Sequence, residues 1–148
     1  MIRVHGTSVV LGGDGVLLQG PSGSGKSDLA LRLIDQGARL VADDQTELRL
    51  IGGALRMSAP ATIAGRLEVR GVGILSVPSV KSAPLRLVVD LVAGEAIERL
   101  PEPETCEFLG CRVARLALAP FEASAAAKLR VALRALPALS RAALPITS

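Results

Sequence analysis

Residues 20–27 read Gly20-Pro21-Ser22-Gly23-Ser24-Gly25-Lys26-Ser27. This run fits the phosphate-binding loop pattern G-x-x-x-x-G-K-[ST] at every fixed position. The residues in front of it, 15–19, predict a buried strand, and residues 28–34, which lack Gly and Pro, predict a helix behind it. A strand, this loop and a helix in this order predict that the chain binds the phosphates of a nucleotide or a polyphosphate.

The residue types of the loop suit this chemistry. Glycines at positions 20, 23 and 25 allow backbone conformations that residues with a Cβ avoid, so that successive N–H groups can point at phosphate oxygens. The positive end of the following helix acts at the same place. Lys26 supplies a full charge for the outer phosphates, and the hydroxyl of Ser27 can ligate Mg²⁺. A glycine-rich turn that binds nothing is disfavoured, because the whole motif occurs in its expected context.

Composition narrows the class of protein. The chain has 148 residues, 49% of them hydrophobic and 21% charged, which predicts one globular domain over residues 1–148. With two Phe and no Trp or Tyr, the core must be aliphatic, and stacking on single-stranded nucleic acid is disfavoured. The net charge of +3 comes from scattered arginines without a basic cluster, so no nucleic-acid partner is expected.

Two cysteines and the absence of long apolar runs indicate the compartment. Cys106 and Cys111 form neither a zinc motif nor a secreted disulfide framework, so we expect reduced thiols. The start of the chain does not resemble a signal peptide, and no apolar run is long enough to span a bilayer. We therefore expect a cytoplasmic protein that does not bind membranes.

The predicted elements alternate between strands and helices, as in an α/β fold. Strands are expected at residues 2–4, 8–11, 15–19, 39–42, 47–51, 55–57, 66–70 and 85–92, with a further strand pair within 108–118. Residues 95–107 are polar and contain proline, which favours a loop. A last helix is expected over residues 121–136, ended by Pro137.

A phosphate-binding loop usually works with an aspartate at the end of an apolar strand, which holds Mg²⁺. Asp43 and Asp44 follow residues 40–42, and Asp90 follows residues 87–89. Two adjacent acids could divide the work between a metal ion and a hydroxyl proton. Asp90 could equally be a buried, hydrogen-bonded structural acid. Spacing does not choose between the two places.

The order of four segments resembles the catalytic domain of HPr kinase/phosphorylase. These are Val4-His5-Gly6, the loop at 20–27, Leu40-Val41-Ala42-Asp43-Asp44 and Leu67-Glu68-Val69-Arg70-Gly71-Val72-Gly73-Ile74. The last segment is much more specific than the loop, which many families share. The resemblance implies a P-loop α/β fold with a mixed sheet, related to phosphoenolpyruvate carboxykinase and usually assembled as a hexamer.

The activity implied by this resemblance is phosphorylation of a serine on HPr, the small carrier protein of the sugar phosphotransferase system. The donor is ATP or pyrophosphate with Mg²⁺, and phosphorolysis by inorganic phosphate reverses the reaction. By the match, Asp44 is the catalytic base, Asp43 supports it and His5 lies near the transferring phosphoryl group. Ser27 and Glu68 hold Mg²⁺. On residue types alone, Glu68 could also pair with Arg70 or a cross-strand neighbour.

The chain departs from the family pattern in two ways. Its loop begins only twenty residues in, so it looks like the short form of some alphaproteobacteria, which contains the catalytic domain alone. Beyond Asp90 only Glu98-Arg99-Leu100 is similar to the family, and the later stretch linked to phosphorolysis and assembly is not recognisable. Arg99 is the candidate phosphate-binding arginine in this part.

Two other classes of function share the loop. A small-molecule kinase normally has an arginine-rich lid over the nucleotide, and no such insertion is evident. A nucleotide-sensing regulatory module would keep the loop but would need no base at Asp44.

Overall fold

The computed structural model describes residues 1–136. The strands in this range are β1 (Ile2–His5), β2 (Thr7–Leu11), β3 (Asp14–Gln19), β4 (Arg39–Ala42), β5 (Gln45–Ile51), β6 (Ala54–Ser58), β7 (Arg66–Val69), β8 (Gly73–Ser76), β9 (Ser82–Leu91), β10 (Glu104–Phe108) and β11 (Cys111–Leu118). The α-helices are α1 (Lys26–Asp35) and α2 (Ala125–Arg134), and short 3-10 turns occur at Ala61–Ile63 and Gly94–Ala96.

The predicted strands and the first helix are present. Strand β8 was not predicted and pairs with β7, and two further differences lie near the end. Residues 104–107 were expected in a loop but form most of β10, which pairs antiparallel with β11, so the strand pair expected within 108–118 occupies residues 104–118 instead. The turn between them uses positive φ at both Leu109 and Gly110, as hairpin turns do, and leucine is an unusual residue there. The last helix spans Ala125–Arg134 instead of residues 121–136, and Pro137, which was expected to end it, lies outside the described residues.

Nine strands form one sheet in which β9 is central. Its first residues pair antiparallel with β6, its last residues pair parallel with β11, and its other side pairs parallel with β3. From β3 the sheet continues through β2 to β4, and from β6 through β5 to β1. Strands β7 and β8 form a separate hairpin. The sheet is therefore mixed, as expected.

Both faces of the central strands are buried. On β3, Val16 and Leu18 pack in a cluster with α1 and α2, while Leu17 points into a second cluster on the opposite face. That second cluster also contains Leu48 of β5 and Met57 of β6, so the sheet curls over itself and covers its own face. This explains why β3 is a continuous apolar run and does not alternate.

The topology brings four strand ends to one edge. Strands β3, β9 and β11 are parallel, and β4 has the same direction because both it and β3 are antiparallel to β2. The segments that follow these strands therefore lie along one edge of the sheet, where open α/β sheets bind ligands. Within residues 1–136, no helix is long and apolar enough to cross a bilayer.

Candidate active site

The loop between β3 and α1 holds the conformation that its glycines require. Gly23 and Gly25 have φ of 82° and 99°, in the left-handed region that favours glycine. Gly20 is needed for a different reason, since a Cβ there would overlap the hydroxyl of Ser24. The loop closes with a hydrogen bond of 3.0 Å from the Ser24 N–H to the Pro21 carbonyl.

Two polar side chains of the loop have the environment of an anion site. The hydroxyl of Ser24 is buried and has no hydrogen-bond partner among the described residues. Lys26, the first residue of α1, is only 6% exposed, and its Nζ donates to the carbonyls of Gly20 and Pro21 at 2.8 and 3.1 Å. A buried polar atom without a partner is costly, so a ligand with oxygen acceptors fits this loop.

The loop borders a cavity of about 340 Å³, which we call the loop cavity. Its lining includes Ser22, Gly25, Lys26, Asp44, Glu68 and Phe121. These residues lie in the loop between β3 and α1, at the start of α1, just after β4, on β7 and shortly after β11, so only the folded chain brings them together. The predicted phosphate loop and one of the two predicted aspartate positions therefore share a single cavity.

Asp43, at the end of β4, is buried and fixes its surroundings. Its Oδ1 accepts hydrogen bonds from the hydroxyls of Thr7 and Ser27 at 2.9 and 2.7 Å, and its Oδ2 accepts one from the Glu68 N–H at 3.0 Å. Three donors on one carboxylate hold it in place. Asp43 thus ties the start of α1 and the hairpin β7–β8 to the end of β4.

Asp44 differs from its neighbour in exposure and backbone. Its side chain is 61% exposed, and Oδ1 lies 2.7 Å from Nε2 of His5, which is 44% exposed. Its φ of 66° is unusual for a residue with a Cβ, and such backbone is often found at functional sites. The N–H of Asp44 donates to the Thr7 hydroxyl, and its carbonyl accepts from the Gly6 N–H. An accessible carboxylate held this firmly can act on a hydroxyl that enters the cavity.

The remaining candidates are placed as follows. Glu68 is exposed on β7 and Arg70 lies in the turn after it; both border the loop cavity and no ion pair joins them. Asp90 is bound by Arg115 of the neighbouring strand β11 and does not border the cavity. Arg99 is exposed and also lies outside the cavity lining.

The oxygen donors near the loop fit Mg²⁺. Ser27 keeps its acceptor lone pairs when its hydroxyl donates to Asp43, and the carboxylate of Glu68 is exposed at the cavity. The described residues contain no group of three or more His, Cys, Asp and Glu side chains that could form a complete protein cage.

Sequence reasoning missed two residues of this site. Thr7 is fully buried and bonds both Asp43 and the backbone of Asp44. Phe121 borders the cavity from the segment after β11. A threonine in a short strand and a single phenylalanine in a turn carry no motif, so only their position in space reveals them.

The sheet, the loop and the cavity describe a mixed α/β protein with a glycine-rich loop at the carboxyl edge of its sheet. The model of the HPr Serine kinase C-terminal domain matches residues 1–129, and the chain belongs to this family. The resemblance inferred from the sequence is thereby confirmed. The relation to phosphoenolpyruvate carboxykinase stays a prediction.

Individual relatives agree with this placement. HPr kinase/phosphorylase of Clostridium tetani is 52% identical over 77 residues, which are 52% of this chain and 25% of that protein. The same enzyme of Caldanaerobacter subterraneus is 48% identical over 95 residues, or 62% of this chain and 31% of that one. The chain thus spans about a quarter to a third of the length of these relatives.

A solved structure confirms the fold over nearly the whole chain. The HPr(Ser) kinase/phosphatase from Coxiella burnetii superposes with a TM-score of 0.84 at 26% identity. The match covers 95% of this chain and 99% of that one. The predicted α/β class with a mixed sheet is therefore correct.

Proposed function

We propose that this chain is an ATP-dependent protein serine kinase that phosphorylates an HPr-like carrier protein. The observation that supports this most is the common cavity in which Asp44, held by His5, faces the loop at 20–27. Membership of the HPr serine kinase family adds the class of acceptor. The catalytic unit corresponds to one domain, residues 1–148.

In the forward reaction the serine hydroxyl of the acceptor enters the cavity and gives its proton to Asp44. Its oxygen attacks the γ-phosphorus of ATP, the bond to the β-phosphate oxygen breaks, and ADP leaves. Loop amides and Lys26 stabilise the negative charge on the phosphates, and Asp43 and His5 keep Asp44 in position. Mg²⁺, held by Ser27 and Glu68, supplies further positive charge at the phosphates when bound.

The reverse reaction uses the same groups. In phosphorolysis, inorganic phosphate attacks the phosphorus of phosphoserine, the bond from that phosphorus to the serine oxygen breaks, pyrophosphate forms, and Asp44 gives a proton to the serine oxygen. This follows because a base that accepts the serine proton when the phosphoryl group arrives acts as the acid when that group leaves the same oxygen. The hexameric assembly implied by the family resemblance and the cytoplasmic location expected from the composition stay predictions, and sedimentation velocity measures the former.

One assay tests the proposal against its alternatives. The purified chain is incubated with γ-labelled ATP, Mg²⁺ and either HPr or an HPr variant whose acceptor serine is alanine. We expect label on HPr and none on the variant. Label on a metabolite added in place of HPr would instead indicate a small-molecule kinase. Bound nucleotide without any transfer would indicate a nucleotide-sensing module.

A further inference from the structure

The loop cavity has two ends, and they lie on opposite sides of the phosphate loop. The order of neighbouring strands is β4, β2, β3, β9, β11. Asp44 follows β4, the loop follows β3, and Phe121 lies three residues beyond the end of β11. Since these ends share one edge of the sheet, Asp44 and Phe121 flank the loop from either side.

The position of Phe121 is not explained by burial of its ring in the core. The residue is 70% exposed, although phenylalanine is one of the residue types most often buried in folded proteins. The ring lies against the loop itself, because a Cβ on Gly25 would be 2.9 Å from its Cζ and 3.2 Å from its Cε1. An exposed aromatic ring at the rim of a polar cavity offers a flat apolar surface to a ligand.

Helix α1, which follows the loop, holds the segment that carries Phe121 through hydrogen bonds. The guanidinium of Arg32 on α1 donates to the carbonyl of Pro120 and, at 3.4 Å, to that of Glu122. The residues on both sides of the ring are therefore fixed to the same helix whose first residue is Lys26. A ring anchored in this way keeps its distance from the loop.

We infer that Phe121 is the stacking platform for the base of a nucleotide, and that the loop is thus adapted to a nucleoside triphosphate over bare pyrophosphate. This rests on the proposed function, because a terminal phosphate placed beside Asp44 directs the rest of the donor toward the other end of the cavity. Pyrophosphate carries no group that reaches the ring, whereas a nucleotide carries its base there.

Equilibrium binding on the full chain tests this. Titration calorimetry in the presence of Mg²⁺ compares ATP, ADP and pyrophosphate for the wild type, Phe121→Ala and Phe121→Trp. We expect Phe121→Ala to weaken both nucleotides about 10-fold or more, as loss of base stacking does, and to leave pyrophosphate affinity unchanged. Phe121→Trp keeps a flat ring and should retain nucleotide affinity. Phe108→Leu, at the distant β10–β11 turn, is the matched control and should behave as wild type.

The outcomes separate this inference from the proposed function. Equal loss of nucleotide and pyrophosphate affinity in Phe121→Ala would show that the ring only supports Gly25, and would overturn the inference. Unchanged affinity of Phe121→Ala for ATP, ADP and pyrophosphate would also overturn the inference, even if the chain transfers phosphate to HPr. A wild-type chain that binds neither nucleotide nor pyrophosphate would overturn the proposed function itself.

Discussion

His5 and Asp44, 39 residues apart in the sequence, meet at 2.7 Å between Nε2 and Oδ1 at the rim of the loop cavity. The contact joins the end of β1 to the turn after β4. It leaves the Asp44 carboxylate 61% exposed and therefore able to meet an incoming hydroxyl. If Asp44 is the base, its charge matters for transfer and much less for nucleotide binding.

Replacing Asp44 by asparagine should lower the rate of phosphoryl transfer to HPr by roughly 10²- to 10⁴-fold, the usual contribution of a general base. Asparagine has the same shape and can still contact His5, so ATP affinity should stay near that of the wild type. Rapid-quench transfer and calorimetric binding measure the two quantities. Asp35→Asn, at the exposed end of α1, is the control. A near wild-type transfer rate in Asp44→Asn would remove Asp44 from the catalytic role.

Replacing Lys26 by alanine should weaken ATP and pyrophosphate alike by roughly 10- to 100-fold, because a charge-assisted bond to phosphate is lost. In the free protein Nζ donates to the Gly20 and Pro21 carbonyls, so binding requires the ammonium to exchange these for phosphate oxygens. The exposed Lys81 provides the control variant Lys81→Ala. Unchanged affinity in Lys26→Ala, with a normal circular dichroism spectrum, would contradict the assignment of the loop.

Replacing Thr7 by valine should lower the free energy of unfolding by about 1–3 kcal/mol, because a buried carboxylate and a backbone N–H lose the same hydroxyl partner. The lost bonds are those to Asp43 and to the N–H of Asp44. Urea denaturation measures this, with the exposed Thr105→Val as control. We also expect slower transfer in Thr7→Val, since Asp44 loses its backbone support. If Thr7→Val and Thr105→Val had the same free energy of unfolding, the hydrogen bonds of Thr7 would make no net contribution to stability.

The ion pair between Glu47 of β5 and Arg3 of the edge strand β1 makes the stability of the protein depend on pH in the acid range. The Arg3 guanidinium, 2.8 Å from its Oε2, lowers the pKa of the Glu47 carboxyl below the ordinary value of 4.5. A lowered pKa in the folded state stabilises the protein above pH 4.5, and this stabilisation is lost as the pH falls through the folded-state value. Glu47→Gln should therefore have a lower Tm than the wild type at pH 7, with a gap that narrows toward pH 3.

Thermal melts at several pH values and salt concentrations check this effect, which should weaken with salt because Arg3 is 53% exposed. Glu107→Gln, on the exposed side of β10, serves as the control. A gap in Tm that stays constant from pH 7 to pH 3 would show that the Arg3–Glu47 charge pair does not act as described.

Much of the fold was predictable because its signals are local. The strand before residue 20, the helix after residue 26 and the hairpin around Gly52-Gly53 follow from short apolar runs and from glycine at turns. Strand β10 was missed because the polar, proline-containing composition of residues 95–107 favours a loop, and because its turn uses Leu109 in a left-handed conformation that leucine rarely adopts. The start of α2 was predicted four residues early, because a composition rich in Ala and Leu does not mark where a turn gives way to a helix.

The sequence by itself determined the phosphate-binding loop and its flanking elements, since the backbone angles at Gly23 and Gly25 and the spacing to Lys26 are set within eight residues. Local spacing did not choose between Asp44 and Asp90, and only the family resemblance implied Asp44. Their contacts came from the tertiary structure alone, in which Asp44 enters the cavity and Arg115 binds Asp90 on a neighbouring strand. The same holds for Thr7 and Phe121. Strand order along the sheet edge controls these contacts, and strand order depends on pairings between residues far apart in the chain.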